Sequence, residues 1–288
     1  MRVYLIFLIG VLLTFCFADS SAQSSSGNAG EFHITGTEIR TIHSEITNQD
    51  YQLMINLPYS YRTDTTRRYP VVYFCDGYYD FALLSMIYGE QIYDKTINEC
   101  FLVGFSYKGE NLDYGKLRAH DYTPTAVPQT PGSGGAPEFL DVVEHEFIPF
   151  MQQHYRVDSS FRALGGSSLG GLFTLYALFS RPYLFNAYIS ISPAVLWDRG
   201  WLLGLEDSFR RQHADLPVSL YLTGAEKEIA EDPTFLEGIK FFGAVLKKRN
   251  YTDFRYEFRV LDDSYHSGSK PEAYARGIKF IFEPMVKK

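Results

Sequence analysis

Short apolar runs separated by longer amphipathic stretches set the rhythm of this chain. Residues 71–75, 101–105, 163–165, 187–191, 219–222 and 256–261 are rich in Val, Ile, Tyr and Phe and are bounded by Gly, Pro, Asp or Ser. Unbroken runs of this kind predict strands covered on both faces, as in a parallel sheet. Ahead of them, 32–46 and 51–57 alternate polar and apolar positions, which predicts an antiparallel lead-in pair. Helices are predicted over 81–93, 137–154, 169–179, 201–211, 233–248 and 271–282, several with Pro near the first turn. In 137–154, Phe139, Leu140, Val143, Phe147 and Phe150 recur at three- and four-residue intervals and mark one buried face.

Regular alternation of strand and helix implies one α/β domain over 31–288, a doubly wound, mostly parallel sheet with helices on both faces and no separate cap domain. The exception is 106–136, rich in Gly, Pro and Thr and without a helical period. A connection that long is usually functional.

The start of the chain is a different object. Arg2 precedes an apolar run over 3–17, and small residues follow to Ala22, so 1–22 reads as a secretory signal peptide and 23–30 as a flexible tether. The protein is then secreted or periplasmic. A lipid anchor at Cys16 is disfavoured by Phe15, which stands where a small residue is wanted. No later apolar stretch reaches the ~18 residues of a membrane span. Cys75 and Cys100 remain after processing. They fall at opposite edges of adjacent parallel strands, too far apart to bridge, and read as small buried hydrophobes.

Composition excludes little but excludes it clearly. With 45% hydrophobic residues, 22 Tyr and 23 Phe the chain is globular, and 27 Lys plus Arg against 34 Asp plus Glu gives a net charge of −7. No basic run offers a surface for nucleic acid. Glu144-His145-Glu146 lacks the second His that a zinc helix needs, so neither metal nor cofactor is expected. Oligomeric state leaves no trace in the sequence.

The chemical signal is Gly166-Ser167-Ser168-Leu169-Gly170, a G-x-S-x-G placed after a strand and before a helix. A chain that turns this sharply forces its middle residue into strained dihedrals, and flanking glycines give the turn room. Ser168 then stands above the sheet, and the Leu169 N–H opens the following helix toward the same spot. This turn resembles the nucleophile elbow of α/β-hydrolases, in which an acid and then a His follow the Ser along the chain. By that order His33, His43, His120, His145 and His154 come too early and His213 precedes the expected acid. His266, directly after the last strand, is the candidate base. The acid should follow the preceding strand, where Glu226 and Glu228 both qualify and Glu228 is preferred; Asp262 and Asp263 lie too close to His266 in sequence. A second oxyanion donor is expected from Cys75-Asp76-Gly77-Tyr78, as the Tyr78 N–H, although the Tyr78 ring also suits ordinary wall packing.

With those residues in view, the chain resembles the esterase D-like branch of the α/β-hydrolases over nearly all of its mature length. The resemblance rests on the segments 69–77 (YPVVYFCDG), 118–124 (RAHDYTP) and 192–198 (SPAVLWD) and on the elbow. The second and third segments are most similar to enterobactin-type siderophore esterases. The resemblance implies Ser168, His266 and Glu228 as a catalytic triad, Leu169 and Tyr78 as the oxyanion hole, and a small-molecule ester as substrate. Members of that branch commonly show Gly-x-x-Glu at the acid, whereas here Glu228 follows Gly224 by four residues. A feruloyl or acetylxylan esterase is the alternative reading. An acyltransferase, or a binding protein on a hydrolase scaffold, are alternatives of another class. For substrate contact, Arg118 suits a catecholate or carboxylate, against a structural ion pair with Asp121 or another loop carboxylate. Trp197 offers a flat face to an aromatic or sugar ring, against a core role.

Overall fold

Eight strands form a single sheet in a computed structural model that describes residues 33–229 and 232–286. The signal peptide and tether expected over 1–30 lie outside the described residues. In chain order the strands are β1 (Thr37–His43), β2 (Asp50–Asn56), β3 (Tyr69–Phe74), β4 (Phe101–Tyr107), β5 (Val157–Ser167), β6 (Ala187–Ile191), β7 (Ser219–Lys227) and β8 (Arg255–Tyr265). They lie across the sheet as β1-β2-β4-β3-β5-β6-β7-β8. β1 and β2 pair antiparallel, as does β2 with β4, and every later pair is parallel. The alternating lead-in and the buried runs thus occupy the two kinds of pairing their patterns predicted.

Helices cover both faces. α1 (Gly77–Tyr93) and α8 (Lys270–Val286) pack one side, through Phe81, Leu84, Tyr88, Tyr274, Ile278 and Ile281. The other side takes α3 (Ala136–Val142), α4 (Ile148–His154), α5 (Leu169–Ser180), α6 (Trp197–Gln212) and α7 (Thr234–Arg249), through residues such as Phe139, Met151, Leu172, Leu202 and Phe242. Along β3 the side chains divide strictly: Val72 and Phe74 join the first core, Val71, Tyr73 and Cys75 the second. That division is the two-residue period of a strand buried on both faces.

Two local departures from the sequence expectation have physical causes. A short helix, α2 (Tyr114–Asp121), sits inside the connection read as lacking one. Its Asp113 caps the Lys116 N–H at 3.0 Å, and its hydrophobic face is too short to produce a period. The predicted helix over 137–154 is interrupted by a π turn, Val143–Phe147, just before Pro149, whose ring nitrogen has no hydrogen to donate back up the helix. In α6, Asp198, Arg199 and Gly200 all have positive φ, so the regular helix starts at Trp201 as the pattern indicated. Cys75 and Cys100 are buried and free, as expected.

Candidate active site

β5, β7 and β8 all run the same way, so their carboxyl ends deliver the candidate residues to one edge of the sheet. β5 stops at Ser167, and Ser168 has φ 59° and ψ −117°, a conformation that L residues rarely hold. The surrounding bonds hold it there: the Ser168 N–H donates to Ile191 O at 2.9 Å, and Ser168 O accepts from the Ala194 and Leu172 amides. Close packing explains the glycines, since a Cβ on Gly166 would lie 2.4 Å from Gly170 O. α5 begins at Leu169, whose N–H is among the first-turn donors without an acceptor inside the helix.

Glu228 and His266 meet directly. Glu228 is 9% exposed and His266 half-buried; the imidazole Nδ1 and Glu228 Oε2 are 2.5 Å apart, while Glu228 Oε1 accepts from the Ala225 N–H at 2.6 Å. The carboxylate is therefore fixed at both oxygens, which assigns the imidazole proton to Nδ1 and leaves Nε2 as the acceptor. Phe235, at the start of α7, meets the ring edge-on at 5.2 Å. Glu226 does something else: it is exposed and accepts from the Asp263 N–H at 2.7 Å. The Ser168 hydroxyl and the His266 ring do not hydrogen-bond; loose contacts between such groups are common without substrate and tighten in the reacting complex.

The loop after β3 brings in the second helix start. Gly77 presses onto β4, where an added Cβ would stand 2.8 Å from Gly104 C. Tyr78 sits in the first turn of α1, and its amide, like that of Leu169, has no intrahelical partner. Its ring is 56% exposed and stacks on Tyr114 of α2 at 3.9 Å, with Tyr79 edge-on to Tyr78.

Arg118 and Trp197 turn inward to the protein. Arg118 donates from Nε and Nη2 to the two oxygens of Asp76, at 2.7 and 2.8 Å, and from Nη2 to Ser167 O at 3.4 Å. The two-pronged edge that suited a catecholate is thus occupied by a loop carboxylate, the ion-pair alternative, though with Asp76 rather than Asp121. Burial alone would lower the Arg118 pKa; the bonds and charge of Asp76 outweigh it and hold the guanidinium above its ordinary value. Trp197 is half-buried against the core and donates Nε1–H to Thr125 O at 3.1 Å, tying α6 to the long connection.

Sequence reasoning missed Asp76, Asp80, Lys270, Tyr274 and Phe235 as supporting residues. Asp76, in the oxyanion loop, anchors Arg118 and sits so close to α5 that a Cβ on Gly170 would lie 3.2 Å from its Oδ2. Asp80, 2% exposed, accepts from Lys270 Nζ at 2.8 Å and from Tyr274 Oη at 3.0 Å. That trio fastens the helix bearing Tyr78 to the helix that follows His266. Burial pushes the Asp80 carboxyl up, with Lys270 opposing. Unpaired acids and bases far apart in sequence were the available signal, without a way to match them. One edge of the sheet thus carries a hydroxyl on a strained turn, an imidazole held by a buried carboxylate and two helix-start amides without intrahelical partners. They are what nucleophilic attack on a carbonyl requires.

The sequence model of the family described as "Putative esterase" matches residues 44–255. Ferri-bacillibactin esterase BesA of Bacillus subtilis (strain 168) is 26% identical over 277 residues, which cover 91% of this chain and 95% of that protein. Siderophore triacetylfusarinine C esterase of Aspergillus fumigatus is 31% identical over 160 residues, 52% of this chain and 53% of the other. Among solved structures, BES protein from Bacillus cereus aligns with a TM-score of 0.78 at 24% identity, over 88% of this chain and 97% of its own.

Proposed function

Because the chain belongs to the esterase family whose model spans 44–255 and has the α/β-hydrolase fold of its structural neighbours, we propose that it is a serine ester hydrolase working through an acyl-enzyme. The observation that carries the mechanism is the 2.5 Å contact between His266 and Glu228 at the sheet edge where the strained Ser168 turn emerges.

In this reading Ser168 Oγ attacks the ester carbonyl carbon while His266 Nε2 takes the hydroxyl proton. Glu228 keeps the ring in the right tautomer and offsets the charge of the imidazolium. The carbonyl oxygen, now negative, receives the Leu169 and Tyr78 N–H groups, each worth about 3 kcal/mol in the transition state. Collapse expels the alcohol, which leaves with the proton from Nε2. Water then loses a proton to the same nitrogen, attacks the acyl carbon and frees both the acid and Ser168. No cofactor enters the sequence.

A siderophore-type trilactone is the proposed substrate. The relatives named for ferri-bacillibactin and triacetylfusarinine C support it, as does the Tyr78–Tyr114 stack beside the second donor, a surface suited to aryl groups. The protein would act outside the cytoplasm after loss of 1–22; no helix among the described residues is long and apolar enough to cross a membrane.

Fluorophosphonate labelling, with a hydrolysis panel of a ferric trilactone, a feruloylated sugar and acetylated xylan, tests this reading. Label on Ser168 and acid released first from the trilactone are expected. An unlabelled protein points to a binding scaffold, preference for either sugar ester to a carbohydrate esterase, and ester transfer to an added alcohol to an acyltransferase. Turnover surviving in Ser168→Ala overturns the nucleophile assignment.

A further inference from the structure

α1 and α8 pack together on one face of the sheet, and each begins beside a candidate site residue. The first turn of α1 carries the Tyr78 amide, and α8 starts at Lys270, shortly after His266. Their shared core, through residues such as Phe81, Leu84, Ile278 and Ile281, is apolar and without direction. Asp80 crosses that contact with directional bonds, accepting from Lys270 Nζ at 2.8 Å and from Tyr274 Oη at 3.0 Å. We propose that Asp80 is a positioning residue of the ester hydrolysis: by holding Lys270 and Tyr274 it sets where the Tyr78 amide stands relative to the His266 imidazole.

The contacts run without a break from the base to the oxyanion donor. Ser269 Oγ donates to His266 O at 3.0 Å and the Ser269 N–H to Tyr265 O at 2.9 Å, so the loop bearing the imidazole is tied to the residue just before α8. Ser269 O in turn accepts from the Ala273 N–H at 2.9 Å, which closes the first turn of that helix. Lys270 and Tyr274, one turn apart, then join this turn to Asp80, which shares the first turn of α1 with Tyr78. Tyr274 also lies against the strand of the nucleophile: a Cβ on Gly165 of β5 would stand 3.9 Å from its ring.

Stability alone is a poor reason for this contact. Asp80 is 2% exposed and the Lys270 side chain 20%, so both charges lose hydration, and apolar replacement of such a pair is often neutral or stabilising. What an apolar pair cannot supply is direction. A carboxylate bonded to two donors fixes one relative placement of the two helices, whereas an apolar interface lets them slide. The tetrahedral intermediate is sensitive to that placement, because its oxyanion must meet the Tyr78 N–H while its leaving oxygen meets His266 Nε2. A misplacement of about 1 Å costs roughly 100-fold in rate. The inference rests on the serine esterase reading and adds a residue to it.

The test is the triple variant Asp80→Val, Lys270→Met and Tyr274→Phe, which exchanges the whole polar contact for an apolar one. It should unfold at a urea concentration no lower than wild type, yet hydrolyse an aryl ester with kcat per folded enzyme about 10–100-fold lower at unchanged KM. Affinity for phenylboronic acid, whose tetrahedral adduct on Ser168 needs both groups in place, should fall by a similar factor. A contact that only stabilises the fold would leave kcat, KM and boronate affinity of the folded enzyme as they are. Tyr274→Phe alone, which keeps the ring and removes one donor, should lower kcat severalfold and decides the matter if the triple variant does not fold. A kcat within about twofold of wild type in the triple variant, or unchanged in Tyr274→Phe, would overturn the proposal, as would a loss confined to KM. Failure of the esterase reading looks different, since wild type itself would then escape the fluorophosphonate label at Ser168.

Discussion

Arg118 and Asp76, 42 residues apart, form a two-pronged ion pair whose second nitrogen also reaches Ser167 O, the carbonyl just before the nucleophile turn. One guanidinium therefore ties the loop bearing the Tyr78 amide to the strand end bearing the Leu169 amide, and sets the spacing between the two proposed donors. Arg118→Ala would leave the Asp76 carboxylate, whose side chain is 5% exposed, without its counter-charge. A loss of roughly 3–5 kcal/mol in urea unfolding is expected. Arg118→Lys should recover part of that stability but little of kcat, because an ammonium cannot reproduce the planar grip. If the lysine variant matched wild-type kcat, Arg118 would have no positioning role.

Ser168 carries the strain of the turn at φ 59° and ψ −117°. Glycine tolerates such dihedrals and alanine does not, so Ser168→Gly should be about 1–3 kcal/mol more stable than Ser168→Ala. Both variants should be inactive. Parallel thermal and chemical unfolding of the two would show the difference, and equal stabilities would mean that the turn is relaxed.

The sheet was readable because β3, β4 and β6 are buried on both faces and need unbroken apolar runs to be so. β5 was legible only in its last third. Its opening residues, Asp158, Ser159 and Ser160, are polar because that end reaches solvent, and a polar strand end looks like a loop. The Ser168 elbow and the order of Glu228 and His266 were visible as local motif and chain order. Asp76, Asp80 and Phe235 were not. Their roles arise only when partners 42, 190 and 31 residues away are folded against them, and no local pattern records such pairings.

Glu226 and Glu228 are two residues apart and have opposite fates, which gives a sharp comparison. Glu228 is held by the Ala225 amide and by His266, whereas Glu226 accepts one amide hydrogen at an exposed irregularity in the β7–β8 pairing. Glu228→Gln should lower kcat by about 10³–10⁴-fold, because the amide no longer selects the productive tautomer or stabilises the imidazolium. Glu226→Gln should stay within about twofold of wild type, as surface changes away from such contacts do. Steady-state kinetics on one aryl ester suffice, and comparable losses in both variants would contradict the assignment of the acid.

His120 should make stability pH-dependent in a definite direction. Its pKa is raised, chiefly by the hydrogen bond to Asp121, with burial opposing and the charges of Asp121 and Glu138 adding to the rise. The ring is kept at Asp121 by Gly135, where an added Cβ would lie 2.2 Å from the imidazole. A raised folded-state pKa means that the folded protein holds the proton more tightly than the unfolded chain does. The resulting stabilisation is complete below the unfolded value of about 6.5 and disappears as pH climbs through the higher folded value. Wild type should therefore exceed His120→Gln in unfolding midpoint by more at about pH 5.5 than at about pH 9. A gap that stayed constant or widened toward alkaline pH would show that the His120–Asp121 contact does not favour the protonated ring.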